Sequence, residues 1–105
     1  MNNSFLNNVL SMMKDIEKLN ELEFNNITCE INNIIKYDIK DQNKIENIFD
    51  RLLSLDLLEE ERINILYFRL LEYYKNINLE ATKDYEKYYN EKYIEEDKNK
   101  IKKKI

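Results

Sequence analysis

The stretch that decides the fold is DLLEEERINILYFRLLEYYK, residues 56–75. Apolar side chains within it recur at spacings of three and four residues, the pattern of one apolar helical face. They are Ile63, Leu66, Tyr67, Leu70, Leu71 and Tyr74. Asp56 followed by Glu59 has the form of a capping box, so this helix is predicted to start at Asp56 and run to Lys75. We expect it to be the centre of the fold.

A second apolar surface lies on the flank of this helix. Ile65 and Phe68 fall outside the main stripe. The helix therefore has apolar surface in two directions, and we expect it either to lie between neighbouring helices or to hold a partner. Packing of Phe68 within its own chain is the competing interpretation.

The first third of the chain is also predicted to be helical. Ser4 is a candidate cap for a first helix that runs to about Leu22. Its apolar face is formed by Phe5, Leu6, Val9, Leu10, Met13, Ile16 and Leu19. Asn25-Asn26 predicts an interruption, after which Ile27, Ile31, Ile34 and Ile35 form a second stripe; a continuous helix is the alternative.

Two more helices are predicted further along. Residues 37–42 form a turn with Asp38 and Asp41 as candidate caps, and the next stripe consists of Ile45, Ile48, Phe49, Leu52 and Leu53. Residues 76–78 connect to a last helix whose apolar side carries Leu79, Ala81, Tyr85, Tyr88 and Tyr89. The fold class is therefore all-α, with four or five antiparallel helices. We expect one domain over residues 1–97 and a basic, frayed tail over residues 98–105.

Composition restricts the turns and divides the charge. The chain has no glycine and no proline, so asparagine and aspartate are the residues best suited to left-handed and turn positions. The formal charge is −4, and the five lysines from Lys98 onward stand without an acid, which leaves −4 − 5 = −9 on the first 97 residues. An acidic body suits a protein partner with a basic surface, although a solvated surface explains the same charges.

Most catalytic and metal chemistry is disfavoured by the residues present. The chain has no histidine, which excludes Ser-His and Cys-His nucleophiles, and no glycine for the usual phosphate-binding loops. The acidic runs 59–61 and 95–97 point their side chains in different directions on a helix, so neither converges on an ion. We expect no enzyme activity, no cofactor and no metal site.

Location is predicted from cysteine use and hydropathy. The single Cys29 cannot form an internal disulfide, and it is expected to be a half-buried small side chain beside Ile27 and Ile31. No apolar run approaches the length of a membrane span, and no secretory signal is visible. A cytoplasmic protein without membrane contact is the expectation.

An internal repeat appears when the chain is shifted by 36 positions against itself. Tyr67, Leu70, Tyr74, Ala81 and Tyr85 stand in an order that resembles the tetratricopeptide repeat, a helix-turn-helix unit. The resemblance covers residues 27–94 and implies stacked hairpins instead of an ordinary bundle, although Leu71 and Ile35 stand where the family keeps a small residue.

The family resemblance also implies a binding site. Tetratricopeptide repeats bind peptides in a groove lined by their first helices. By matched position, the groove residues here are Ile65, Phe68, Glu72 and Lys75.

The resulting functional hypothesis is a non-catalytic helical protein that binds another protein. A small bacterial or phage regulator or inhibitor, such as an anti-CRISPR or other anti-defence protein or an immunity protein, has this character, and a homodimer is a further form of the same idea. The alternative is a nucleic-acid-binding accessory protein that uses the lysine tail and the tyrosines of the last helix. Acidic residues interleaved with those tyrosines disfavour it.

Overall fold

The computed structural model describes residues 2–55 and 58–103, with side chains described for residues 3–55 and 58–93. Four helices make up the chain: α1 (Asn2–Lys36), α2 (Gln42–Leu53), α3 (Glu60–Tyr74) and α4 (Leu79–Lys103). No strand occurs in these residues, and the predicted all-α fold is confirmed. α4 continues as helix to Lys103, past the expected tail boundary at residue 97.

α1 is one continuous helix of 35 residues, so the predicted interruption at Asn25-Asn26 is wrong and the continuous alternative is right. Asparagine disfavours a helix interior by only a fraction of a kcal/mol, which tertiary contacts override. Those contacts stand on both sides of the pair, because Arg51 of α2 binds Glu23 and Glu30 of α1 at 2.5 and 2.7 Å. The α2 guanidinium therefore holds the helix straight through the weak point.

The turn after α1 shows how a chain without glycine reverses direction. Asp38 adopts φ 51°, the left-handed conformation. The Asp38 N–H donates to the Ile35 carbonyl, and the Ile39 N–H donates to the Ile34 carbonyl at 2.9 Å, which is the Schellman pattern. The Tyr73 hydroxyl of α3 donates to the Ile39 carbonyl at 2.7 Å and to the Asp38 carboxylate at 3.0 Å. An aspartate thus takes the position that glycine usually holds.

α2 and α3 pack as their stripes predict. Asp41 caps α2 by accepting a hydrogen bond from the Lys44 N–H at 3.2 Å. The apolar residues of the α3 stripe are all buried, and α2 buries Ile45, Ile48, Phe49 and Leu52. α1 contributes to this core only through its C-terminal part, with Ile27, Ile31 and Ile34 fully buried.

The start of α3 differs from the prediction. The helix begins at Glu60 with Glu59 as an extended N-cap that makes no side-chain capping bond, so the predicted start at Asp56 is wrong. Asp56 itself lies outside the described residues. Leu55 is buried and Leu58 packs against the core, so apolar contacts hold the described part of this connection. Glu60 and Glu61 in the first turn interact favourably with the positive end of the helix dipole.

α4 closes the core with tyrosines. The Phe49 ring stacks on Tyr85 at 4.6 Å between centroids and tilts against Tyr67 at 5.0 Å. The Tyr67 hydroxyl donates to the Tyr85 carbonyl, and the Tyr74 and Tyr85 hydroxyls both donate to the Glu46 carboxylate, at 2.6 and 3.3 Å. Burial raises the pKa of Tyr67, Tyr74 and Tyr85 above that of an ordinary tyrosine. Aromatic rings with satisfied hydroxyls therefore join α2, α3 and α4.

Candidate protein-binding surfaces

The N-terminal half of α1 carries a long apolar face that the rest of the described chain leaves uncovered. We call it the N-terminal stripe: Phe5, Leu6, Val9, Leu10, Met12, Met13, Ile16 and Leu19. Apart from the partly buried Val9, these side chains are 46–74% exposed. Sequence periodicity predicted one apolar face here without showing what covers it, and in the structure no described helix buries it.

The N-terminal stripe points to the same side of α1 as the core. Val9, Met13 and Ile16 precede the buried Ile27, Ile31 and Ile34 by 18 residues each, which is five turns of an α-helix. The stripe is therefore a straight continuation of the core-facing surface. It extends beyond the end of the body that α2 and α3 form.

The point where packing ends is marked by two arginines. Arg62 of α3 forms a two-pronged bond with Glu21, at 2.5 and 2.8 Å, and its guanidinium lies 4.5 Å from the centre of the Phe24 ring. This bond lowers the pKa of Glu21. Arg51 holds Glu23 from the other side. Among the described residues, α1 has no buried side chain and no ion pair N-terminal to these contacts, and its exposed apolar face runs back from Leu19.

Charge is absent from the N-terminal stripe. Residues 2–13 include no charged side chain. The charged residues of the following turns flank the stripe: Asp15 stands at helical spacing from Met12 and Leu19, and Glu17 follows Met13 by four residues. Lys14, Glu17, Lys18 and Glu21 line a shallow groove of about 670 Å³ between α1 and Leu58. A surface that covers residues 5–13 of the stripe therefore meets no charged side chain of α1, and the first charges stand at the edges of the Ile16–Leu19 end.

The predicted groove residues also share one face, on the outer side of α3. We call Ile65, Phe68, Glu72 and Lys75 the outer patch. Ile65 is 69% exposed, and Glu72 and Lys75 form an ion pair with each other. Phe68 is 38% exposed, and its ring edge rests on Tyr89 of α4 at 5.0 Å between centroids. Part of the Phe68 side chain therefore packs within its own chain, as the core interpretation requires, and part is open to solvent, as partner binding requires.

Other predicted features are placed as follows. Cys29 is exposed, so its expected half-burial is wrong. It stands two positions from Ile27 and Ile31, and residues two apart on a helix face different directions. Among the described residues, no group of three or more acidic or cysteine side chains is arranged to hold a metal. None of the described helices has the length and apolarity needed to cross a bilayer.

The tyrosines of the last helix are mostly turned inward. Tyr85 and Tyr89 are buried in the core, whereas Tyr88 is exposed. Burial raises the pKa of Tyr89. Stacking on nucleic-acid bases needs open ring faces, and the core rings do not offer them.

Sequence reasoning named the outer patch as a candidate site but did not predict the exposure of the N-terminal stripe. Two signals in the sequence point to the stripe: the 18-residue repeat of the core face and the uncharged first 13 residues. Both show how far the apolar face extends, but neither shows where the covering helices end. No known protein family, no curated protein and no solved structure matches the chain.

Proposed function

We propose that this chain acts by binding another protein chain through the N-terminal stripe. The observation that carries the proposal is the row of seven exposed large apolar side chains on a helix that projects from a finished core. A large side chain has about 150–250 Å² of surface, so half to three-quarters exposure leaves on the order of 100 Å² on each. The row then presents about 700 Å², more than the roughly 300–600 Å² of the largest patch on a typical monomer.

The area also fits what a specific complex requires. A standard interface buries about 800 Å² on each partner. Single exposed apolar residues are common on soluble proteins, but a contiguous row of this size is typical of an interaction surface. Binding is therefore a better account of the stripe than incidental exposure.

The outer patch is a second, smaller candidate surface. Ile65 and the open part of Phe68 present an apolar spot flanked by the Glu72–Lys75 ion pair, an apolar centre with a polar rim. The excess negative charge of the body favours a partner with a basic surface. In a cytoplasmic setting, this combination suits a small bacterial or phage regulator or inhibitor without catalytic chemistry, of the anti-defence or immunity type.

The test uses one helix and one type of substitution. Met12→Lys places a charge in the middle of the N-terminal stripe, and Leu22→Lys makes the same kind of change at an exposed position of α1 beyond the end of the stripe, in the groove that faces Leu58. Leucine, methionine and lysine have similar helix propensities, so both variants should keep the fold. Tagged chains are used to retain proteins from the source cell, with partners identified by mass.

We expect the wild type and Leu22→Lys to retain the same partner and Met12→Lys to lose it. Equal retention by all three chains would exclude the N-terminal stripe as the binding surface. Circular dichroism of each variant provides the control for folding.

A further inference from the structure

We infer that the partner on the N-terminal stripe is a second copy of this chain, whose own stripe lies against it in antiparallel orientation. This inference rests on the proposed function and specifies its partner. The contact is two-fold symmetric, so the same residues of each copy form it.

The spacing of the N-terminal stripe fits a helix-to-helix seam. Phe5, Val9, Met12, Ile16 and Leu19 alternate steps of four and three residues, the a/d spacing of a coiled coil. A seam this short is weak in an isolated peptide, because starting a helix is unfavourable. Here the helix is already formed, since its C-terminal part is docked on α2 and α3. Pairing of the short stripe therefore carries no cost of helix formation and requires only a matching apolar surface.

A second copy of the N-terminal stripe is a chemically matching surface. Pairing two stripes along the seam keeps charged side chains at its edges, because residues 2–13 hold none, and Asp15 and Glu17 flank the seam positions without occupying them. The four exposed seam residues would bury on the order of 400 Å² on each copy, and the flanking Leu6, Leu10 and Met13 raise the total toward the roughly 800 Å² per partner of a standard interface. A basic or nucleic-acid partner finds no complementary charge on this face.

The position of the body decides the orientation. The N-terminal stripe points to the side of α1 on which α2 and α3 sit, as the 18-residue repeat shows. Two stripes that meet in parallel would bring both bodies to the same place, where their helices collide and their charges, −9 on the first 97 residues, repel each other. Antiparallel pairing puts the bodies at opposite ends. The tip of each α1 then reaches the edge of its partner's core near Asn20 and Leu55.

The first measurement is molar mass by light scattering and by sedimentation over a concentration series. The wild type should approach twice the chain mass of 12.9 kDa. Met12→Lys should weaken the dimer at least about tenfold, because a central interface side chain is replaced on both copies. Leu22→Lys should change the dimer constant by no more than about twofold.

The second measurement tests orientation by cross-linking. Cys29→Ser removes the exposed native thiol, and Phe5→Cys and Leu19→Cys are introduced into that background separately. In an antiparallel pair, Phe5 of one copy lies beside the Ile16–Leu19 turn of the other. The two Phe5 positions are then about 15–20 Å apart, at 1.5 Å per residue. A short bismaleimide linker should therefore join the two variants to each other when they are mixed, and intact mass identifies the mixed product.

Three outcomes would overturn the inference in different ways. A wild type that stays at the single-chain mass excludes the second copy. Efficient joining of Phe5→Cys to itself excludes the antiparallel orientation. A dimer that Met12→Lys leaves intact excludes the stripe as its interface. The proposed function fails separately, only if Met12→Lys also retains every protein that the wild type retains.

Discussion

Replacing Phe68 by alanine should lower stability and, if the outer patch binds a protein of its own, the affinity for that protein, whereas replacing Ile65 should affect that affinity alone. Phe68 has about three-fifths of its surface buried, since it is 38% exposed. The lost burial is worth about 1–2 kcal/mol, as that fraction of the 1.5–3 kcal/mol for a large side chain. Loss of the edge contacts with Tyr89 and Tyr67 adds about 0.5–1 kcal/mol. The site opens to solvent, so no cavity term is expected.

The expected change for Phe68→Ala is therefore about 2 kcal/mol, which corresponds to a fall in Tm of about 8 °C for a domain of this length. Ile65 is mostly exposed, and alanine is the better helix former, so Ile65→Ala should change stability by less than about 0.5 kcal/mol. Thermal melting by circular dichroism measures both changes under the same conditions.

Affinity per folded molecule, measured by calorimetry with the isolated partner, separates the two roles of the outer patch. If the patch binds that partner, each variant should lose at least about 1 kcal/mol of binding free energy. If Phe68→Ala melts at the wild-type temperature, the packing of its ring against Tyr89 is wrong. If both variants bind as the wild type does, the outer patch is not the binding site and Phe68 serves only the core.

Three further predictions concern the core and its supports. Raising the pH above about 10 should destabilise the fold, because burial keeps Tyr67, Tyr74 and Tyr85 protonated while the same tyrosines ionise in the unfolded chain. Above that pH the free energy of unfolding should fall by up to about 1.4 kcal/mol per pH unit for each tyrosine. Denaturant unfolding measures this loss, and the ultraviolet absorbance of tyrosinate measures the ionisation. Titration of all tyrosines near pH 10 with the helices intact would contradict this. Leu70→Ala should reduce the free energy of unfolding by about 2–5 kcal/mol, and a loss below about 0.5 kcal/mol would mean that α3 faces another way. Arg51→Ala should cost about 1–2 kcal/mol, with a smaller loss in high salt, and a salt-independent loss would show that its two α1 carboxylates contribute little.

The parts of the fold that sequence predicted well are those in which each stripe meets another stripe of the same chain. α3 buries every residue of its predicted stripe, and so does α2 apart from the half-buried Leu53. For residues 5–19 the same periodicity predicted the helix but not its exposure, because spacing shows that a helix has an apolar side and not which chain covers it. The residues there are as apolar as those of α2, and only the lengths of the facing helices distinguish the two cases.

Errors at the ends and turns have a different origin. Asn25-Asn26 and the Asp56-Glu59 pair are local signals, and both were outweighed by contacts distant in sequence: Arg51 on Glu23 and Glu30, and Leu55 in the core. Asp38 was predicted as a turn residue, and it takes the left-handed conformation that the absence of glycine assigns to aspartate or asparagine. Local propensity succeeds where no distant contact opposes it. The outer patch was predicted by position alone, and its binding role stays a prediction.

The continuity of α1 means that the direction of its N-terminal half is set by residue count. One residue inserted at Asn25-Asn26 would turn the whole N-terminal segment by about 100° around the helix axis while leaving each of its side chains unchanged. An insertion of seven residues would return it to within about 20° of its original direction and move it about 10 Å outward. Related chains that keep the same arrangement should therefore tolerate substitutions in this part of α1 more readily than single insertions or deletions.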